Sequence, residues 1–233
     1  MRLPITVHRA RLGKHSYRVI RPRPTPPNVV LSQCSTAASE YDIRLDARAA
    51  HRIGVAWLLA ARSPRSLVHI PLRNSRSPAS ARCEPECFRR EECPHSTAER
   101  PLDLLLMHHS LRFRPSRWKE VRSRLDDGRP ETAELPASDV PEFGSEPFEF
   151  HWIKRYPLRQ HVHAETLLLT GHAPLFRELS TYFLDIAENG PGPHSWNPRK
   201  HYCNEIRWPE IGRYDQEIHI VYDERWSGID IKR

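Results

Sequence analysis

The sequence holds no apolar run approaching about eighteen residues, which argues against a membrane-spanning helix. Its first residues include Arg2 and Arg9 without an apolar core of roughly 7–15 residues, so no secretory leader is expected. Lysine is scarce, at five of 36 basic residues, while Arg, Ala and Pro abound; this coding bias points to a GC-rich, bacterial source. Hydrophobic residues amount to 38% and there are 22 prolines, a mix that predicts loop or disorder over part of the chain. No Walker A, G-x-G-x-x-G, G-x-S-x-G or H-E-x-x-H pattern occurs. That weighs against the common nucleotide-binding and hydrolase classes.

Acidic residues are absent from 1–39, which hold seven bases: Arg2, Arg9, Arg11, Lys14, Arg18, Arg21 and Arg23. The rest of the chain carries 29 bases against 29 acids, so the net charge of +7 belongs wholly to this stretch. A nucleic-acid-binding body normally shows a basic excess, so nucleic acid is expected as a partner only through the tail. RPRPTPPNVV (21–30) is too rich in proline for helix or central strand. Residues 1–39 therefore read as a disordered basic tail. A transit-peptide composition and extra residues ahead of the true start are the other readings.

Beyond it, LDARAAHRIGVAWLLAAR (45–62) predicts a helix with Ile53, Trp57 and Ala60 on one side, ended by Ser63-Pro64. SLVHIPL (66–72) and DLLLMHH (103–109) predict strands. RPSRWKEVRSRLDDG (114–128) predicts a second helix capped by Ser116 and stopped by Gly128. Residues 128–147, rich in Pro, Gly and acids, predict a linker. FEFHWIK (148–154) and AETLLLT (164–170) then read as strands. APLFRELSTYFLDIAEN (173–189) reads as a helix with Pro174 in its first turn and Gly190 at C′. QEIHIVYD (216–223) reads as a last strand after a polar loop, 191–207. The expectation is an α+β fold with a small mixed or antiparallel sheet and helices on one face. It divides into a tail (1–39), an N-terminal α/β segment with a cysteine-rich loop (40–127), a linker (128–147) and a ββαβ unit (148–233).

Three clusters could carry chemistry. CEPECFRREECPH places Cys83, Cys87, Cys93 and His95 within thirteen residues. Cys83 and Cys87 have the spacing of a first zinc pair, but the Cys93–His95 pair is tighter than common fingers use. These four are the candidate ligands of a structural zinc; a surface loop with free thiols is the alternative. Five cysteines and no leader point to a reducing cytoplasm. His108, His109 and Ser110 stand where a strand ends, the usual place for a catalytic group. A buried, hydrogen-bonded histidine beside an exposed one is the plainer reading. His161, His163 and Glu165 alternate, so along an extended strand they would share one face. With His194, His201 and Cys203 from the later loop they could hold a metal, or simply face solvent.

ETLLLTGHAPLFRELSTYFLDIAENG, the HSW loop and EIHIVYDE, together spanning 165–224, are similar to a family of small bacterial immunity proteins that neutralise polymorphic toxins. The resemblance implies a non-enzymatic antitoxin that blocks a protein toxin by surface complementarity, with no catalytic residues. The C-terminal segment's slight acidity suits a basic partner. The expected function is therefore protein binding, without enzymatic activity. The alternatives are a metal-dependent hydrolase or nuclease-like enzyme using the clustered histidines, and a nucleic-acid-associated protein using the tail.

Overall fold

The computed structural model describes residues 1–35, 40–73, 75, 100–141, 157–192, 202–208 and 216–223. They form an α+β fold of two mixed sheets and three helices. In the seven-stranded sheet, β8 (Arg129–Glu134) lies beside β1 (Arg2–Leu12), β2 (His15–Pro22), β5 (Ser66–Ile70), β7 (Asp103–His108), β10 (Thr166–Gly171) and β9 (Arg159–His163), in that order. The five-stranded sheet runs β11 (Cys203–Trp208), β12 (Gln216–Tyr222), β4 (Glu40–Leu45), β3 (Val29–Ser35) and β6 (Arg100–Pro101). No helix among the described residues is long and apolar enough to cross a membrane.

Helix α1 (Ala47–Arg62) is buried on nearly every side, including Ile53, Trp57 and Leu58, which is the pattern of a helix enclosed by protein. Asp46 caps it, accepting from Ala49 N–H at 2.7 Å. Helix α3 (Ala173–Asn189) crosses α1 where Gly54 lets the backbones approach; a Cβ there would sit 2.9 Å from Leu184 and 3.1 Å from the Ser180 carbonyl. Trp57 meets Phe176 edge-on at 5.5 Å and lies 5.7 Å from Phe183. The pair packs against both sheets and shares one core with them. The short helix α2 (Trp118–Ser123) covers the other face of the large sheet. Alternation along the strands serves the two faces: Leu104, Leu106, Leu167 and Leu169 join the main core, while Leu105, Met107 and Leu168 pack with Trp118 and Val121.

The expected disordered tail is corrected: residues 2–35 form β1, β2 and β3. Leu3, Ile5 and Val7 enter the main core and Ala10, Leu12 and Val19 the second one. The basic residues between them are partly paired. Arg2 meets Glu134 at 2.6 Å, and Arg21 Nε donates to His69 Nδ1 at 2.9 Å. The linker is corrected over its first half, because β8 pairs antiparallel with β1. The partition into 40–127 and 148–233 gives way to interleaving: β10 pairs with β7, and β12 with β4.

The second predicted helix is shorter than expected. A 3-10 turn (Pro115–Arg117) precedes it, and its N-cap is Arg117 with no side-chain cap bond, not Ser116. The polar loop predicted over 191–207 gives way at Cys203 to β11, which runs to Trp208. Gly190 is right-handed, at φ −55°; its lack of a side chain serves close approach, since a Cβ would meet the Tyr222 ring at 2.7 Å. The predicted strand 148–154 lies outside the described residues.

Candidate functional site

β7 and β10 run parallel with His108 opposite Gly171, so both strands end at the same edge of the large sheet. In open α/β sheets, ligands bind outside the carboxyl ends of neighbouring parallel strands, the arrangement that this one pair shares. Here the chain leaves β7 through a 3-10 turn (His109–Leu111), and leaves β10 through His172 into α3. Between them lies a cleft of about 570 Å³, in the range of small-ligand sites. Its polar wall holds His108, His109, Arg112, Arg159, His161 and His172; Phe113, Pro115 and Pro157 form part of its apolar wall. Among the described residues, no carboxylate lines it.

Local geometry sets the proton on two of these rings. Nδ1 of His108 accepts from Ser110 N–H at 3.2 Å and lies 2.7 Å from the Ser110 hydroxyl. Nδ1 of His172 caps α3, accepting from Leu175 N–H at 3.2 Å. With Nδ1 an acceptor, each neutral ring carries its hydrogen on Nε2. The His108 and His109 rings are 4.4 Å apart and the His109 and His172 rings 6.4 Å. Burial lowers the pKa of His108, and His109 lowers it further. Burial likewise lowers His172, followed by His109 and His108. Arg112 takes a left-handed conformation, φ 49° and ψ 33°, at a cost of roughly 1 kcal/mol for a non-glycine residue. Such strain clusters at binding sites.

Two other polar clusters lie away from the cleft. Beneath α2, buried His69 accepts from Arg21 and turns Nε2 towards Asp103 at 3.4 Å. Asp103 also accepts from Arg73 N–H at 3.0 Å and faces Arg122 at 3.4 Å. Burial brings the His69 pKa down to about 4, overriding the pull of Asp103. On the small sheet, His219 Nδ1 lies 3.4 Å from Asp42, with Cys203 as a further hydrogen-bonding neighbour. Burial opposes protonation there, but Asp42 and Cys203 outweigh it and raise His219 to about 9.

The structure brings His108, His109 and His161 into one cleft and adds His172, Arg112 and Arg159, which sequence reasoning missed. His161 and His163 lie on β9, but Glu165 sits in the turn after it, at φ 59°, and Cys203 belongs to the other sheet. Among the described residues no group of three or more His, Cys, Asp or Glu side chains could hold a metal ion. Cys83, Cys87, Cys93 and His95, with the zinc proposed for them, lie outside the described residues, as do His194 and His201. The signal for His172 was present as Gly171-His172 ahead of Pro174, a strand end running into a helix start.

The described residues of the segment 165–224 fall on β10, α3, β11 and β12 and the turns beside them. Its Leu167–Leu169, Leu175, Leu179, Phe183, Ile218 and Ile220 are core residues. Comparison with protein-family models, with curated proteins and with solved structures found no match.

Proposed function

We propose that the chain is a non-enzymatic binding protein, of the toxin-neutralising kind, that engages a protein partner through the histidine–arginine cleft. The observation that supports it most is the cleft itself, an open concavity with six basic or imidazole side chains and no carboxylate among the described residues that line it. Such a surface suits an acidic segment of a partner, since complementary charge favours encounter and register. The resemblance across 165–224 supplies the antitoxin class, although its acid-leaning segment had suggested a basic partner. The cleft shifts that expectation towards an acidic contact.

Affinity capture from the native host tests this with the wild-type chain and with Arg112→Glu/Arg159→Glu. Both residues are exposed, so the fold is expected to survive. A stoichiometric protein held by the wild type, lost by the variant, and toxic unless co-expressed with the wild type supports the proposal. Equal capture by both chains, or capture of nothing, contradicts it. The His108–Ser110 hydrogen bond of 2.7 Å favours a second reading, hydrolysis by the clustered histidines. Ester turnover that scales with protein and disappears in His108→Asn would establish that reading instead. The nucleic-acid alternative loses its flexible arm, because the bases of residues 2–23 stand on strands or in the turns between them.

A further inference from the structure

We propose that the cleft is a proton-coupled oxyanion site, holding one carboxylate- or sulfate-like group among Arg112, Arg159 and the Nε2–H donor of His108, with the His109 and His172 rings beside it, and taking up protons as it fills. The inference rests on the cleft being the working surface and goes further, naming the chemical group and a linkage to pH.

Three features carry it. Among the described residues, the charged and titratable groups that line the cavity are Arg112, Arg159, His108, His109, His161 and His172, drawn from the β7 end, the 3-10 turn and its exit, β9 and the start of α3. All are cationic or neutral, so an anion meets no repelling charge among them. Next, His108 has Nδ1 engaged by the Ser110 N–H, leaving Nε2–H as its donor in the neutral form. Donors fixed in tautomer before the ligand arrives need little reorganisation. Finally, the histidines crowd one another, with ring centroids 4.4 Å and 6.4 Å apart. Without an anion, burial and the neighbouring rings disfavour protonation of His108 and His172, which stay below the ordinary histidine pKa. A bound anion reverses that balance, because an opposite charge within about 4–6 Å favours the protonated ring. Protons are therefore taken up on binding, and affinity rises as pH falls.

The direct test is isothermal calorimetry on the full chain with sulfate, which keeps its two charges from pH 6 to pH 8. Two buffers of different ionisation heat read the proton uptake. Glutarate, as a dicarboxylate, forms the second arm and separates a carboxylate source from a sulfate- or phosphate-like one. The wild type is expected to bind at least one of them ~10-fold more tightly at pH 6 than at pH 8, the change expected when one imidazole pKa rises by about one unit. His108→Asn/His172→Asn keeps an oxygen acceptor for both caps while removing both titrations. It is expected to bind with a flatter pH profile and no uptake from these rings, His109 and His161 remaining in the cleft. Arg112→Gln/Arg159→Gln is expected to weaken binding at every pH. No binding of either anion by the wild type, a pH-independent affinity, or an unchanged pH profile in the histidine variant overturns the inference. Anion binding with proton uptake but no captured protein would leave this inference standing and remove the protein-partner function; capture without anion binding would do the reverse.

Discussion

At the scale of single residues, His69 shows what burial does to a titratable group. Its ring is 1% exposed, edge-on to Trp118, and held neutral with Arg21 on one nitrogen and Asp103 on the other. The folded pKa of about 4 lies below the unfolded value of roughly 6.5, so the unfolded chain binds more protons between them. Stability is therefore lost as pH falls from about 6.5 towards 4, by about 3 kcal/mol over the whole window. His108 and His172 are shifted in the same direction and add to it. His219 has the opposite sign: its contribution is complete below about pH 6.5 and is lost as pH rises through about 9. Urea midpoints at pH 4.5 and 6.5 check the first of these, with a clear fall expected at the lower pH. A His69→Gln chain is expected to be weaker at neutral pH but flatter across the window; an unchanged slope would remove His69 as the cause. None of this was legible beforehand. SLVHIPL identified a strand, but the partners of its histidine come from Arg21 and Asp103, on strands remote in sequence.

At the scale of elements, periodicity was a sound guide where one face is apolar over several turns or residues. α1, α3, β5, β7, β10 and β12 stand close to where alternation and helical spacing put them. It failed for β1 to β3, where arginines and prolines obscured the signal. Leu3, Ile5 and Val7 do alternate, but the buried set moves to the opposite face at His8, Ala10 and Leu12, under α2. A strand buried on different faces along its length shows no single clean stripe. The prolines of 22–27 fall at the end of β2 and in the connection to β3, where they break no central ladder. Deleting residues 1–35 would remove β1 and β2 from between β8 and β5, and β3 from between β4 and β6. The shortened chain is expected to lose cooperative unfolding and native near-UV dichroism. A truncated chain as stable as the full one would restore the tail and contradict the sheet order.

At the scale of the molecule, parallel pairing of β7 with β10 and of β12 with β4 ties early and late halves of the chain into both sheets. The cleft is a product of that interleaving. His108, Arg112, Arg159, His161 and His172 come from three separated stretches and meet only because β7 and β10 end in register with β9 alongside. The sequence flagged His108–His109 and His161–His163 separately, as rival sites. Their union into one basic concavity needed a pairing that hydrophobic pattern does not encode. The central claim is that this concavity binds an anionic group. The most direct measurement follows the imidazole carbon-bound proton resonances of His108 and His172 across pH 5–8, with and without saturating sulfate. Both rings are predicted to titrate below the ordinary histidine range in the free protein and to move upward when sulfate is bound. Resonances that titrate identically with and without the anion would contradict the account.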